Sequence, residues 1–375
     1  VRSAIAVVFF THGVLFATWA SRIPDVKQRL VLSEATLGFA LLALGLGTFA
    51  ALPCVAWLIA RFGGPRLAVT SALACFVALP LAGLAPSFPP LCAALALFGA
   101  ALGSLDVAMN AEAVRLERAA GRSIMSSFHG LWSAGGVVGA GVGGGFAARA
   151  EPPWAHFMAV CGVLAVVVFL VNASAWHEPP PIVRRAPALA WPSGPVVAIG
   201  LVGACGAVVE GGIADWSGVY LRDVLASAPG FAALGFAAFS LAMMAGRFAG
   251  DRLIDRFGRR TLLRSGALAS GCAIAAALLW GQPSAALLAF VVAGLGVSVV
   301  FPIAFGMAGD SGAEPGHAIA AVATMAYGGG LLGPPIIGFV AGAASLEWAL
   351  GLLVLASFAI AALTSVRVAR RLGAG

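Results

Sequence analysis

The residues of this chain best placed to do chemistry are carboxyls set in greasy surroundings. Asp106 stands in "GSLDVAMNAEAV" (Gly103–Val114), directly after "LCAALALFGAAL", a run without charge. Glu210 has the same kind of setting in "VVEGGIADWSGVYL", with Asp215 close behind it, and Glu112 follows Asp106. A charge at a bilayer centre costs from about 2.5 kcal/mol upward, so an acid there faces the protein interior or a water-filled path. Desolvation favours the neutral form of a carboxylic acid, which makes such a residue a candidate proton carrier. Asn110 lies one helical turn beyond Asp106, on the same face, where its amide could hydrogen-bond the acid or a ligand. Asp106 and Glu210 are therefore the candidate proton-coupling residues. Each keeps a structural alternative: an ion pair or helix-end contact for Asp106, a packing hydrogen bond for Glu210. Asp215 lies nearer the outer face, where wetting or Arg222 could account for it.

The setting of these acids follows from composition. Of 375 residues, 61% are hydrophobic and 10% charged, against roughly 25% charged in soluble domains. That balance defines an integral membrane protein. One helical crossing takes ~20 apolar residues, and apolar runs fall at 3–21, 35–60, 66–85, 88–114, 124–148, 154–176, 194–221, 230–250, 261–281, 284–309, 317–342 and 346–366. Runs of this length, rich in Ala, Leu and Gly, predict twelve transmembrane helices in an all-α fold and exclude the alternating ten-residue strands of an outer-membrane barrel. The first run leads into "WASRIP" with no small-residue cleavage site, so it is expected to be the first spanning helix.

The 22 basic residues are unevenly spread. With residue 1 inside, only Arg22, Lys27, Arg29, Arg149 and Arg222 fall outside, and Arg247 is counted with the inner set. This asymmetry places both termini in the cytoplasm. The net charge of +7 then reflects juxtamembrane loops that meet anionic lipid, not a nucleic-acid surface. The longest polar break, "HEPPPIVRRAPALAWPSG", divides the chain into an N-terminal six-helix bundle (1–176), a cytoplasmic linker (177–193) and a C-terminal six-helix bundle (194–375).

The six cysteines lie in apolar runs without C-x-x-C or Cys/His spacing, and read as packing residues. The glycine-rich "GGVVGAGVGGG" sits inside a predicted helix and lacks the Lys-Ser/Thr of a phosphate loop. It reads as a close-packing face, as does "GGGLLGPPIIG", where Pro334 and Pro335 add a kink. No metal site, cofactor or enzymatic activity is expected.

The halves repeat. "LIARFGGPR" (Leu58–Arg66) matches "LIDRFGRR" (Leu253–Arg260), "TLGFA" at Thr36 matches "ALGFA" at Ala233, and "SAGGVVG" at Ser133 matches "YGGGLLG" at Tyr327. A parallel six-helix repeat is the signature of a two-bundle secondary transporter, with its substrate site between the bundles near the midplane.

"GDRLIDRFGRR" (Gly250–Arg260) resembles the loop between helices two and three, repeated between eight and nine, of the major facilitator superfamily. The resemblance covers essentially the whole chain. It implies that Asp251, Asp255, Arg256 and Arg259 form a conformational gate, bracing helix ends on the cytoplasmic side when the cavity opens outward. In the first copy Ala60 and Pro65 replace Asp255 and Arg260. "ALGSLDVAMNAEA" is similar to helix four of the fucose permease branch, which implies a proton-coupling role for Asp106 and places Asn110 at the branch's amide. "SSFHGLWSAGG" is similar to that branch's helix five, with His129 in place of a sugar-contacting amide. Ala20 stands about where the branch has its helix-one acid.

Substrate-binding candidates are Asn110, His129, Trp132, Trp19, Trp216 and Tyr327, with His12 a further polar candidate. Trp19 and Trp216 correspond in helices one and seven, which line the cavity in this fold, and aromatic faces with a few polar groups suit sugar rings. The expectation is a monomeric, proton-coupled transporter of a sugar- or polyol-like solute in a bacterial inner membrane. It resembles a branch near the fucose permeases that includes a rhizopine-associated membrane protein. Its partners are solute, protons and lipid. Two rivals stand beside it: a proton-coupled exporter of a hydrophobic metabolite or drug, and a transporter-like receptor or scaffold.

Overall fold

The computed structural model describes residues 2–120, 124–172, 194–311 and 315–365, which form helices and no strand. The first half comprises α1 (Arg2–Ala20), α2 (Ile23–Arg29), α3 (Glu34–Phe62), α4 (Gly64–Leu84), α5 (Phe88–Ala120), α6 (Met125–Ala148) and α7 (Pro153–Asn172). The second comprises α8 (Pro195–Val219), α9 (Pro229–Phe257), α10 (Arg259–Trp280), α11 (Pro283–Val297), α12 (Val300–Gly309), α13 (Pro315–Ala343) and α14 (Leu346–Leu363). Twelve spans are long and apolar enough to cross a membrane, with α1–α2 and α11–α12 each making one. The segment 177–193, expected as the linker, lies outside the described residues.

Local chemistry punctuates the chain where the spans turn. Proline stands in the first turn of α2, α4, α8, α9 and α11, where its missing N–H has no intrahelical partner to lose. The "RFG" shared by the two halves ends α3 and α9 on Gly63 (φ +88°) and Gly258 (φ +78°). That left-handed backbone favours glycine. It lets α4 and α10 reverse immediately.

Packing repeats as the sequence does. In the first half α1 packs on α6, α3 on α5, and α4 on α5 and α7; in the second, α8 packs on α13, α9 on α11, and α10 on α11 and α14. The halves meet along α3 with α13 and α6 with α9. Between helices that feel no hydrophobic drive inside lipid, small residues allow close backbone approach. Gly13, Gly135 and Gly139 seat α1 on α6, each against a carbonyl of the opposing helix: those of Trp132, Phe10 and Val14. This crossing sets the register of His12 against Trp132.

A valine at Gly139 must displace the α1 backbone, whereas Gly141 on the same helix meets nothing within 4 Å. Gly139→Val should cost about 1–3 kcal/mol, read as a lowered unfolding midpoint in detergent. Gly141→Val should leave the midpoint unchanged.

Candidate functional site

A cavity of about 410 Å³ lies between the halves, walled by α1, α3, α5 and α6 on one side and α8, α9, α12 and α13 on the other. Asp106, midway along α5, faces it. Asn110 donates from one turn away to Asp106 Oδ1 (3.1 Å) and to the Asp106 carbonyl (2.9 Å). Tyr327 of α13 donates its hydroxyl to Asp106 Oδ2 at 3.2 Å. The two carboxyl oxygens are thus held by different halves of the protein. Asn110 is not among the residues of the cavity wall and spends its amide donor on Asp106.

A second polar chain crosses the cavity through Arg247 of α9. Its Nη2 donates to Glu210 Oε1 of α8 at 3.4 Å, and its Nη1 donates to Ser133 Oγ of α6 at 3.0 Å. Its guanidinium lies 5.4 Å from the Trp132 ring centre, within cation–π range. Trp132 Nε1 in turn donates to His12 Nδ1 at 2.7 Å. His129 also faces the cavity and meets Phe9 edge-on at 5.5 Å. Counting Arg247 with the inner loop cations is corrected by this position: it stands ten residues before the end of α9, roughly 15 Å inside the helix at 1.5 Å per residue. That depth was readable from the sequence. A tally by loop hides it.

The tryptophans matched by the repeat sit elsewhere. Trp19 is fully buried against Phe157 of α7, and Trp216 is fully buried with its Nε1 donating to the Pro334 carbonyl at 3.0 Å. Neither is in the cavity wall. The repeat gives a position along a helix but not the rotation of its face. Asp215 does line the cavity. Arg222, its suggested partner, bonds Asp25 and Gln28 instead. Glu112 is buried at the start of α4 beside Gly64, and accepts from Arg115 Nε at 2.7 Å.

The two ends of the cavity differ. Its wall continues down α3, α5 and α12 to Leu52, Met109 and Phe305, toward the end where Arg61, Arg66, Arg252, Arg256 and Arg260 cluster, here called the basic end. At the opposite end the halves are tied by charge. Asp25 of α2 accepts from Arg222, which follows α8 in a short π-helical turn (Tyr220–Val224), while Arg222 Nη2 donates to Gln28 Oε1 at 2.6 Å. Lys27 donates to Asp223 at 2.7 Å and pairs with Glu34 at 3.1 Å. The buried Arg22 holds Asp25 from its own half and donates to the Glu151 carbonyl. Below these pairs Gly38 of α3 packs against Gly338 of α13, which in turn meets the Trp216 ring. The sequence carried a signal for this closure: mixed charges recur at the same point of both halves, in "RIPDVKQR" and "YLRDV".

At the basic end, Arg259 pairs with Asp310 at 2.6 Å within the second half. Asp251 and Asp255 make no ion pair among the described residues, and Arg256 lies over its neighbour Phe257. The described residues contain no His/Cys/Asp/Glu cluster able to hold a metal ion, and their cysteines are free.

Two pseudo-symmetric helical bundles around a mainly apolar central cavity that holds a few charged side chains, shut at one end by cross-bundle ion pairs, define a two-bundle membrane transporter. The Major Facilitator Superfamily model matches residues 4–226 and again 199–372. The chain belongs to that superfamily. It is 36% identical over 358 residues to an uncharacterised MFS-type transporter of Yersinia pestis, covering 94% of this chain and 92% of that protein. It is 33% identical over 380 residues to membrane protein MosC of Rhizobium meliloti, covering 97% and 89%. Among solved structures it is similar to the nucleoside transporter NupG (TM-score 0.79, 11% identity, 97% and 100% covered) and to FucP in its outward conformation (TM-score 0.64, 17% identity, 96% and 97% covered).

If Arg247 and Glu210 compensate one another, removing either leaves the other charged in the cavity, and removing both restores part of the loss. A double-mutant cycle of Arg247→Gln and Glu210→Gln, read by thermal unfolding, should give a coupling energy of about 0.5–3 kcal/mol. Additive effects would mean that the 3.4 Å contact carries no energy.

Proposed function

We propose that this transporter moves a small polar solute, sugar- or polyol-like, by alternating access with proton symport, and that Asp106 carries the proton. The observation that supports this most is the hydrogen bond from Tyr327 to Asp106 Oδ2 across the two halves. A carboxylate oxygen only accepts, whereas a protonated carboxyl also donates. Loading a proton on Asp106 therefore changes a bond that spans the interface the halves must break and remake. Whatever binds one state better shifts the population toward it, so proton binding and rearrangement are linked. Glu210 is the second candidate, available to a proton when Arg247 turns toward a solute.

The solute reading rests on a ring of polar groups, Asp106, Arg247, Glu210 and His129, beside the Trp132 and Phe16 rings. A polar ring compound presents hydroxyls to the first set and an apolar face to the second. The apolar wall at Leu52, Phe301 and Phe305 favours the rival, an exporter of a hydrophobic compound, and a thermal-shift screen over sugars, polyols and drugs separates the two.

The distribution of arginines supports an orientation with both termini in the cytoplasm, so that the cavity faces inward. Asp255 and Arg256 then pair with neighbouring helix ends only after the cavity opens outward. Val31, 88% exposed beside the ion-paired end, would lie outside the cell. A cysteine placed there should react with an impermeant thiol reagent in intact cells, above the parent's background. Labelling only after lysis would reverse the orientation.

Asp106→Asn keeps size and hydrogen bonding but removes the titratable charge. In this variant proton-driven accumulation should fall at least about tenfold, equivalent to 1.4 kcal/mol or more of lost coupling, while exchange of solute down its own gradient survives. Unchanged accumulation with the parent's pH dependence would make Asp106 structural.

A further inference from the structure

We infer that Asp215 is a further proton-binding residue of the transport cycle, whose carboxyl must be neutral for the ion-paired end of the cavity to shut. The inference rests on the proton-coupled reading above. It begins from position. Asp215 lines the cavity on α8, five residues beyond Glu210, about 7.5 Å further along the helix axis. The next residue, Trp216, belongs to the closure itself: its indole is fully buried, donates to the Pro334 carbonyl, and packs where Gly38 meets Gly338. Asp215 thus sits at the blind end of the cavity, directly beneath the lid formed by α3, α8 and α13.

The cations named so far in the cavity wall and at the ion-paired closure are engaged elsewhere. Arg222 of the π-helical turn bonds Asp25 and Gln28, Lys27 of α2 bonds Asp223 and Glu34, and Arg247 of α9 bonds Glu210 and Ser133. His12 of α1 accepts from Trp132, and Tyr327 of α13 donates to Asp106. The acids on elements packed against α8 are Asp25 on α2, Asp223 of the π-helical turn, Asp251 and Asp255 on α9 and Glu347 on α14. Asp215 makes no hydrogen bond or ion pair among the described residues.

An unpaired carboxylate in a low-dielectric site costs several kcal/mol, and a neutral carboxyl far less. Opening the lid admits water to the same group. A proton therefore binds Asp215 more tightly with the lid shut, and by linkage it stabilises the shut state. In a symport cycle this is the step that prevents a slip: a carrier open at the ion-paired end closes only after Asp215 has taken a proton from that side.

The test uses the full chain in lipid nanodiscs with no solute. Spin labels enter through unnatural amino acids at Val31 and Ala228, exposed positions of opposite halves beside the lid, so the native cysteines stay. In the parent, raising the pH from about 5 to 9 should shift the label distances from a short to a long population, by at most about tenfold per pH unit for one proton. Asp215→Asn should remain short throughout, and Asp215→Glu should recover the pH response. A parent without pH response, or an Asp215→Asn variant that opens like the parent, would overturn the inference. Because the readout needs no accumulation, it can fail while the Asp106 result holds, and the reverse.

Discussion

Charge inside a bilayer costs at least about 2.5 kcal/mol per group on insertion scales, and this chain gathers Asp106, Glu210, Asp215 and Arg247 around one cavity. Each is accommodated differently. Asp106 receives neutral hydrogen bonds from Asn110 and Tyr327, Glu210 receives a guanidinium, and Asp215 faces the cavity with no partner among the described residues. The architecture follows from that requirement. Glycine faces bring helices close enough for Trp132 to meet His12 and Arg247, and the gap between the bundles keeps the acids out of lipid.

The same requirement explains why the two ends are built differently. Opening at the ion-paired end means breaking contacts of Asp25 with Arg222 and of Lys27 with Asp223, mostly buried groups that regain hydration as they separate. Such contacts can reform in each cycle at modest cost. At the basic end Asp251 and Asp255 make no ion pair among the described residues, while their arginine neighbours lie close in sequence. That is the arrangement expected of a brace that is disengaged in this state. In the proposed cycle, two sets of exchangeable charges, one at each end, let a bundle pair rock without either conformation becoming a trap.

Much of this was legible in the sequence. Hydropathy located the spans because lipid forces each backbone to satisfy itself within a helix, and the "RFG" repeat marked equivalent reversals because Gly63 and Gly258 both need positive φ. Asp106 with Asn110 was legible because one turn of helix fixes their contact. The cross-half partners were not. Nothing in sequence spacing brings Tyr327 to Asp106 or Arg222 to Asp25, since those contacts depend on how two bundles are docked. Arg247 was overlooked because a loop count treats every cation near a helix end alike, and Trp19 was misplaced because a repeat does not fix which face of α1 turns inward.

The central claim is that a proton and a solute move together through this cavity. Its most direct measurement is the external pH of a weakly buffered suspension of proteoliposomes when sugars and polyols are added one at a time. The account predicts that the transported solute alkalinises the medium as it enters, and that Asp106→Asn abolishes the signal. A solute that is taken up with no proton movement would contradict it.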